Sequence, residues 1–324
     1  MTTITPAATT PVQAPFTTNP SYSGTFIPTI WSNKLNVKFY ATTVFGEIAN
    51  TDYEGDLKSL GDKVIINNVP SITINNYTVG QNLSYEVPAP NKVELQIDQA
   101  KYFGVNVSDV LEYQSQPKLM DMFTSDAAKQ MAINIDTAIL KGTFNSGSSS
   151  NKGSTAGVKS GAYSLGVDNT PITLSSATVV PLITGLASVL DEQNVPDTDR
   201  FLVIPPFMRN ALMASPLAQA YVTGDSQSIL RNGKIGTIDR FTIYVSNLLP
   251  SAAAGQDFNG AAQGGAAKRT AVMAGHKSAI TFASQIAKVE SLQNPNDFGT
   301  LVRGLNIYGY NVIKPEALAL ALVA

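Results

Sequence analysis

Two stretches of strict two-residue alternation bracket a segment that can continue neither of them. In the first, Val64 and Ile66 and then Ile72 and Ile74 alternate with polar residues. In the second, Val93, Leu95 and Ile97 share one face while Glu94, Gln96 and Asp98 share the other. Between them runs NNYTVGQNLSYEVPAPN, where Gly80 favours a turn and Pro88 and Pro90 deny ladder hydrogen bonds. The pattern predicts a long, thin β-hairpin over Gly61 to Gln99 with this segment as its tip. A two-stranded ribbon of this kind is marginal in water, so a neighbouring molecule must cover one of its faces.

Composition points the same way. Apolar residues make up 44% of the chain and charged residues only 14%, a low share for a monomer that must stay in solution. Much of the surface is therefore expected to be covered by partners. At 324 residues there is room for a sizeable core in one or two closely connected domains. With 22 basic and 24 acidic side chains the net charge is -2, so no broad field draws the protein onto nucleic acid or an anionic membrane. The absence of cysteine removes disulfides, thiolate metal sites and cysteine nucleophiles together, and synthesis in the cytoplasm is the expectation. The opening MTTITPAATTPVQAPFTTNP lacks the basic and apolar regions of a signal peptide. The apolar run from Ala317 to Ala324 falls far short of the roughly 20 residues that span a bilayer.

Residues 1 to about 25 are rich in Thr, Pro and Ala and read as an extended arm. The following FIPTIWSNKLNVKFYATTVFGEIAN places Trp31, Leu35, Phe39 and Val44 at partly helical spacing, with Trp31 anchoring the arm. Lys34 and Lys38 in this stretch read as solvated. From Pro117 to Lys141, Met120, Phe123, Ala127, Met131, Ile135 and Ala138 follow a three-to-four spacing, which predicts a helix of roughly 37 Å. Pro117 suits its first turn and Gly142 its end. Asp121, Asp126 and Asp136 are assigned to its solvated face. GTFNSGSSSNKGSTAGVKSG then reads as a flexible loop without a phosphate-binding pattern. A helix around Val179 to Leu190, with Pro181 in its first turn, is followed by a buried strand in RFLVIPP and a short helix in FMRNALMA. Strands over Phe241 to Ser246 and in TAVMAGHKSAITFAS flank a small-residue loop at 251–269, so the class is α+β.

Chemistry is sparse. His276 is the sole histidine, and a triad built from it with Ser278 and either Asp239 or Asp297 lacks a G-x-S-x-G elbow. Metal and cofactor sites are not expected, because one histidine without cysteine leaves only carboxylate ligands and no calcium-loop pattern occurs. The acids Asp52, Glu54 and Asp56 surround Gly55 and read as a solvated turn rather than a glycosidase pair. The chain is read as a non-enzyme, and His276 as a turn or strand-edge residue.

Several strings carry a resemblance. NDFGTLVRGLNIYGYNVIKPEALALALVA, RFLVIPPFMRNALMAS, IGTIDRFTIYVSNLLP and VMAGHKSAITFASQIAKVES resemble, in that family's order, segments of the HK97-like major capsid proteins of tailed phages. Arg240 stands where glycine is common in the third string. The resemblance covers the chain from about Phe26 onward. It implies an N-terminal arm at 1–54, an E-loop hairpin at 55–100 and a peripheral domain at 101–170 with its spine helix at 117–141. An axial domain at 171–290 follows, and a C-terminal strand at 291–324 returns to the peripheral domain.

As a family member the chain is expected to be a coat protein that self-assembles into hexamers and pentamers of an icosahedral virion shell around double-stranded DNA, touching that DNA weakly and without sequence preference. Assembly is expected in the host cytoplasm, with scaffolding, portal and cement proteins as separate partners and no membrane. Contacts between copies are assigned to Trp31 and Phe39 in the arm and to Tyr77, Tyr85, Glu86 and Pro88 in the hairpin tip. Lys58 and Lys63 are candidates for the isopeptide cross-link of some family members, but no catalytic glutamate is identifiable and no cross-link is expected. The alternatives are an encapsulin-type shell packaging protein cargo and a hydrolase working through His276. Deleting residues 1–25 is expected to leave a soluble, folded subunit that forms few particles, as measured by sedimentation and electron microscopy.

Overall fold

The two alternating stretches do pair. In the computed structural model, which describes residues 40–41, 43–52, 63–68, 72–88, 91–108, 119–215, 236–263, 266–295 and 298–324, strand β1 (Lys63–Asn68) lies antiparallel to β2 (Asn91–Gln96). The ladder closes at Asn68 opposite Asn91. Ile72 and Ile74, expected to extend it, lie outside any strand and are exposed. The proline at 70 and those at 88 and 90 interrupt the donors a longer ladder needs.

A three-stranded antiparallel sheet follows, in the order β3 (Gln99–Ser108), β10 (Gly299–Val312), β9 (Ile280–Gln293). Helix α2 (Leu119–Phe144) packs against β3 and β10. The predicted apolar stripe is buried only in its C-terminal half, where Ile135, Ile139, Leu140 and Phe144 enter the core. Phe123, assigned to the same stripe, is 41% exposed. Gly142 does not end the helix. It lies inside it, where a Cβ would meet the Tyr310 ring, whose hydroxyl donates to the Ala138 carbonyl at 3.3 Å.

The second sheet is mixed and six-stranded, in the order β11 (Leu318–Val323), β8 (Arg269–His276), β4 (Arg200–Ile204), β6 (Phe241–Val245), β5 (Thr237–Ile238), with β7 (Ser251–Ala252) pairing β8. Strands β4 and β6 run parallel, as the unbroken apolar run of RFLVI suits a strand buried on both faces. Helices α3 (Val179–Glu192) and α4 (Pro206–Met213) complete this layer, and Pro181 falls in the first turn of α3. Between β5 and β6, Asp239 and Arg240 both have positive φ, 45° and 67°. That is a primed two-residue hairpin turn, and it explains why glycine suits position 240.

The tail divides. Residues 291–324 were assigned to a return into the peripheral region, but only β10 joins the three-stranded sheet, while β11 pairs with β8 in the other. Strand β9, from Ile280, also belongs to the three-stranded sheet rather than the six-stranded one. The apolar terminus LALALV is buried throughout because 165–174 seals its outer edge. The Leu322 N–H donates to the Leu165 carbonyl at 2.8 Å, and the Ile172 N–H to the Leu322 carbonyl at 2.9 Å. Gly166 permits this approach: its φ is 82°, and a Cβ would lie 2.4 Å from the Leu322 oxygen. The loop expected to be flexible after α2 is also tied down. Its Asn151 is fully buried and donates to the Glu316 and Leu318 carbonyls at 2.7 and 2.9 Å.

Among the described residues, the buried side chains of the hairpin lie at its root. Ile66, Leu95 and Ile97 form a small cluster with Ala283, Ile307 and Ile313. There β10 passes so close to β2 that a Cβ on Gly309 would lie 2.2 Å from the Gln96 carbonyl oxygen. Gly309→Ala is expected to lower stability by about 1–3 kcal/mol through overpacking. Thermal denaturation checks this, with Gly104→Ala, whose Cβ meets nothing within 4 Å, as the unaffected control.

Candidate assembly surface

Beyond its root the hairpin carries apolar side chains into solvent. Every residue from 72 to 88 is exposed, among them Tyr77, Leu83, Tyr85 and Val87. Tyr85 is 87% and Val87 91% exposed, values at which neither contributes to the core of its own chain. The segment is shaped by a few local contacts. Gly80 has φ 92°, the Gln81 N–H donates to the Thr78 carbonyl at 3.1 Å, and the Thr78 hydroxyl donates to Gln81 Oε1 at 2.8 Å. One contact crosses the limbs: the Thr73 N–H donates to Glu86 Oε2 at 3.1 Å. Tyr77, Tyr85, Glu86 and Pro88 are all exposed within 72–88, while Trp31, Phe39 and Lys58 lie outside the described residues.

A second exposed surface, part apolar and part charged, went unrecognised in the sequence. Tyr102, Leu305 and Lys288 face one another across β3, β10 and β9, as do Asn106, Leu301 and Leu292. Residues directly opposite in antiparallel strands share a face. Tyr102 is 83% exposed on this face, whereas Val302, on the reverse, is buried. The middle row joins Gly104, Arg303 and Glu290, and Arg303 donates to Glu290 Oε2 at 2.6 and 2.9 Å. Lys288 also pairs with Glu290, and these two cations hold the Glu290 carboxyl below its usual range. The legible signal was the two-residue period of Tyr102, Leu301 and Leu305; missing was the knowledge of which face α2 covers.

The charged groups elsewhere form struts. Arg200, fully buried, contacts Asp191 at 2.7 Å and Asp197 at 3.2 Å, and Arg240 contacts the same two acids at 2.8 and 2.6 Å. Burial pushes Asp191 upward, but the two arginines outweigh it and hold its carboxyl low. In a cleft of about 490 Å³ bordered by Phe144, Asp257 and Gln263, Arg269 is likewise buried and lies 2.7 Å from Asp168. Asp136 is not on a solvated face, as assigned, but fully buried, and Asp126 accepts from the Tyr40 hydroxyl at 2.8 Å.

His276 ends β8. Its Nδ1 lies 2.8 Å from the Ser278 hydroxyl and accepts the Ser278 N–H at 3.1 Å, which caps a single helical turn at Lys277–Ala279. Burial lowers its pKa, so the ring is neutral near pH 7. Asp239 instead lies 3.9 Å from Arg240, and Asp297 is outside the described residues. Among the described residues no group of three or more histidine, cysteine or acidic side chains is arranged to hold a metal ion, and no helix is long and apolar enough to cross a membrane.

A core that closes on itself, a projecting apolar tip and a bare sheet face together describe a subunit, and comparison with known proteins agrees. The profile described as phage capsid protein matches residues 92–321. The chain belongs to the phage capsid protein family. No curated protein matches it. Among solved structures, one from Mycobacterium phage Che8 is 26% identical with a TM-score of 0.71, over 92% of this chain and 97% of that one. The capsid of the cyanophage P-SCSP1u is 17% identical with a TM-score of 0.63, over 92% and 93% of the two chains. The mature capsid of bacteriophage PhiM1 is 16% identical with a TM-score of 0.62, over 91% of each, and these two likenesses show a shared fold.

This phage capsid protein therefore has the α+β capsid fold and functions as the major capsid protein, a structural component of the virion; neither the encapsulin nor the hydrolase alternative is favoured. In such a subunit His276 is a turn cap. His276→Ala is expected to cost about 0.5–2 kcal/mol, the usual worth of a capping side chain, and to leave particle yield unchanged, as calorimetry and electron microscopy will show.

Proposed function

We propose that the chain builds the hexamers and pentamers of an icosahedral shell around the double-stranded DNA of a tailed phage, and that it has no catalytic role. The observation that carries this reading is the tip at 72–88, whose aliphatic and aromatic side chains have no cover in their own subunit. Each such side chain gains roughly 1.5–3 kcal/mol when fully buried, so a few of them suffice to join copies. In this reading 55–100 is the E-loop, α2 the spine helix, and the six-stranded layer the axial domain near the capsomer centre. Tyr77, Tyr85, Glu86 and Pro88 make the contact, and Trp31 and Phe39 act in the arm at 1–54.

The other partners follow the same reasoning. A net charge of -2 suits a shell that encloses DNA through weak, non-specific contacts rather than one that grips it. Scaffolding, portal and cement proteins are separate chains, and subunits assemble in the host cytoplasm before entering the virion. The double variant Tyr85→Asp/Val87→Asp tests the reading. Both positions are solvent-exposed, so its melting temperature should match the parent. Particle yield should fall by at least about tenfold, since unpaired charges in a desolvated contact cost several kcal/mol. Normal shells from this variant would remove the tip from the interface.

A further inference from the structure

Asp136 is the one fully buried carboxylate on α2, and nothing in assembly as described uses it. Its Oδ2 accepts the Val44 N–H at 2.9 Å, while Oδ1 has no hydrogen-bond partner. A buried carboxylate with an unsatisfied oxygen disfavours its own charge. What it holds is the root of the N-terminal segment. Val44 is buried and begins helix α1 (Phe45–Ile48), and Phe45 packs against Phe282 of β9 with ring centroids 5.1 Å apart. Just before it, the Tyr40 hydroxyl donates to Asp126, and Lys129 lies 4.5 Å from the centre of the Tyr40 ring. Three residues of α2 thus clasp 40–45, and Asp136 alone does so from within the core.

We propose that Asp136 is a proton-operated latch, fastening residues 43–48 to α2 when its carboxyl is neutral and loosening them as it ionises. Ionisation strengthens its contacts with the Val44 and Phe45 N–H groups, but burial outweighs that gain and pushes the pKa from 3.8 to about 6. The cause is burial rather than a neighbouring charge. The charged groups on the elements packed against it are Glu47 of α1, Asp121, Asp126, Lys129 and Lys141 of α2, Lys101 of β3, and Lys288, Glu290 and Arg303 of β9 and β10, the last three on the sheet face away from α2. The phenols are those of Tyr40, Tyr308 and Tyr310, and no charge among them contributes to the shift. A released root exposes Asp136 to water and returns it to the ordinary value. The docked state therefore binds the proton more tightly. Docking is strongest below about pH 4, weakens as the pH rises through 6, and levels off above it. The latch does not depend on the capsid reading, although in a shell it would set when the arm is free to reach a neighbouring copy.

Amide hydrogen exchange with mass spectrometry on the full chain tests this, with rates corrected for intrinsic chemistry. Protection of the 43–50 peptide should fall on the order of tenfold from pH 4.5 to pH 7.5. Peptides from β4 and β11 should show no matching change. In Asp136→Asn, which stays neutral and keeps an acceptor for the Val44 N–H, the pH dependence should vanish and protection at pH 7.5 should equal or exceed that of the parent. A parent profile flat with pH, an Asn variant that keeps the parent's profile, or parallel loss in β4 and β11 would each overturn the latch. Particle formation is read separately, so failure here is distinct from failure of the shell reading.

Discussion

Strand β10 is a wall shared by two cores. Ile307 and Ile313 face the small cluster that roots the hairpin, while their neighbours Tyr308 and Val312 face the main core with Ile135, Ile139 and the strands of the six-stranded sheet. The ladder with β9 is irregular between Ile307 and Tyr308, where β9 carries one extra residue. Because one strand serves both sides, the hairpin cannot shift without disturbing the body of the subunit. The close pass of Gly309 over Gln96 makes that coupling steric as well as hydrophobic.

Periodicity was the most readable part of the sequence. The alternation at Val64 to Ile66 and Val93 to Ile97 gave the hairpin limbs, and RFLVI gave a buried strand, because burial patterns of this kind depend only on local geometry. Pro181 and the glycine-favouring position at Arg240 were also legible, since each is a backbone requirement written in one residue. What escaped were decisions made by distant chain. Gly142 reads as a helix stop but serves the Tyr310 ring, and Asn151 sits in a loop of flexible composition yet pins the final strand. Nothing local to Asp136 tells it from Asp121; only the chain that covers it does.

The candidate surface was half legible for the same reason. A tip rich in Tyr, Val and Pro announces itself because no alternation continues through it. The face bearing Tyr102 and Leu305 resembles any half-buried strand until α2 is seen on its other side. The resemblance to capsid proteins supplied the order of segments, and the split of the tail between two sheets is where that order understated the weave of the chain. Among the described residues, Arg200, Arg240 and Arg269 are already paired within the subunit.

The ladder of the hairpin stops at Asn68 and Asn91, and residues 72–88 beyond it lack strand pairing of their own. A stretch without an internal template takes its contour from whatever it rests on. On the proposed reading, a neighbouring copy in the shell supplies that contour, and the fold of the body does not have to encode it.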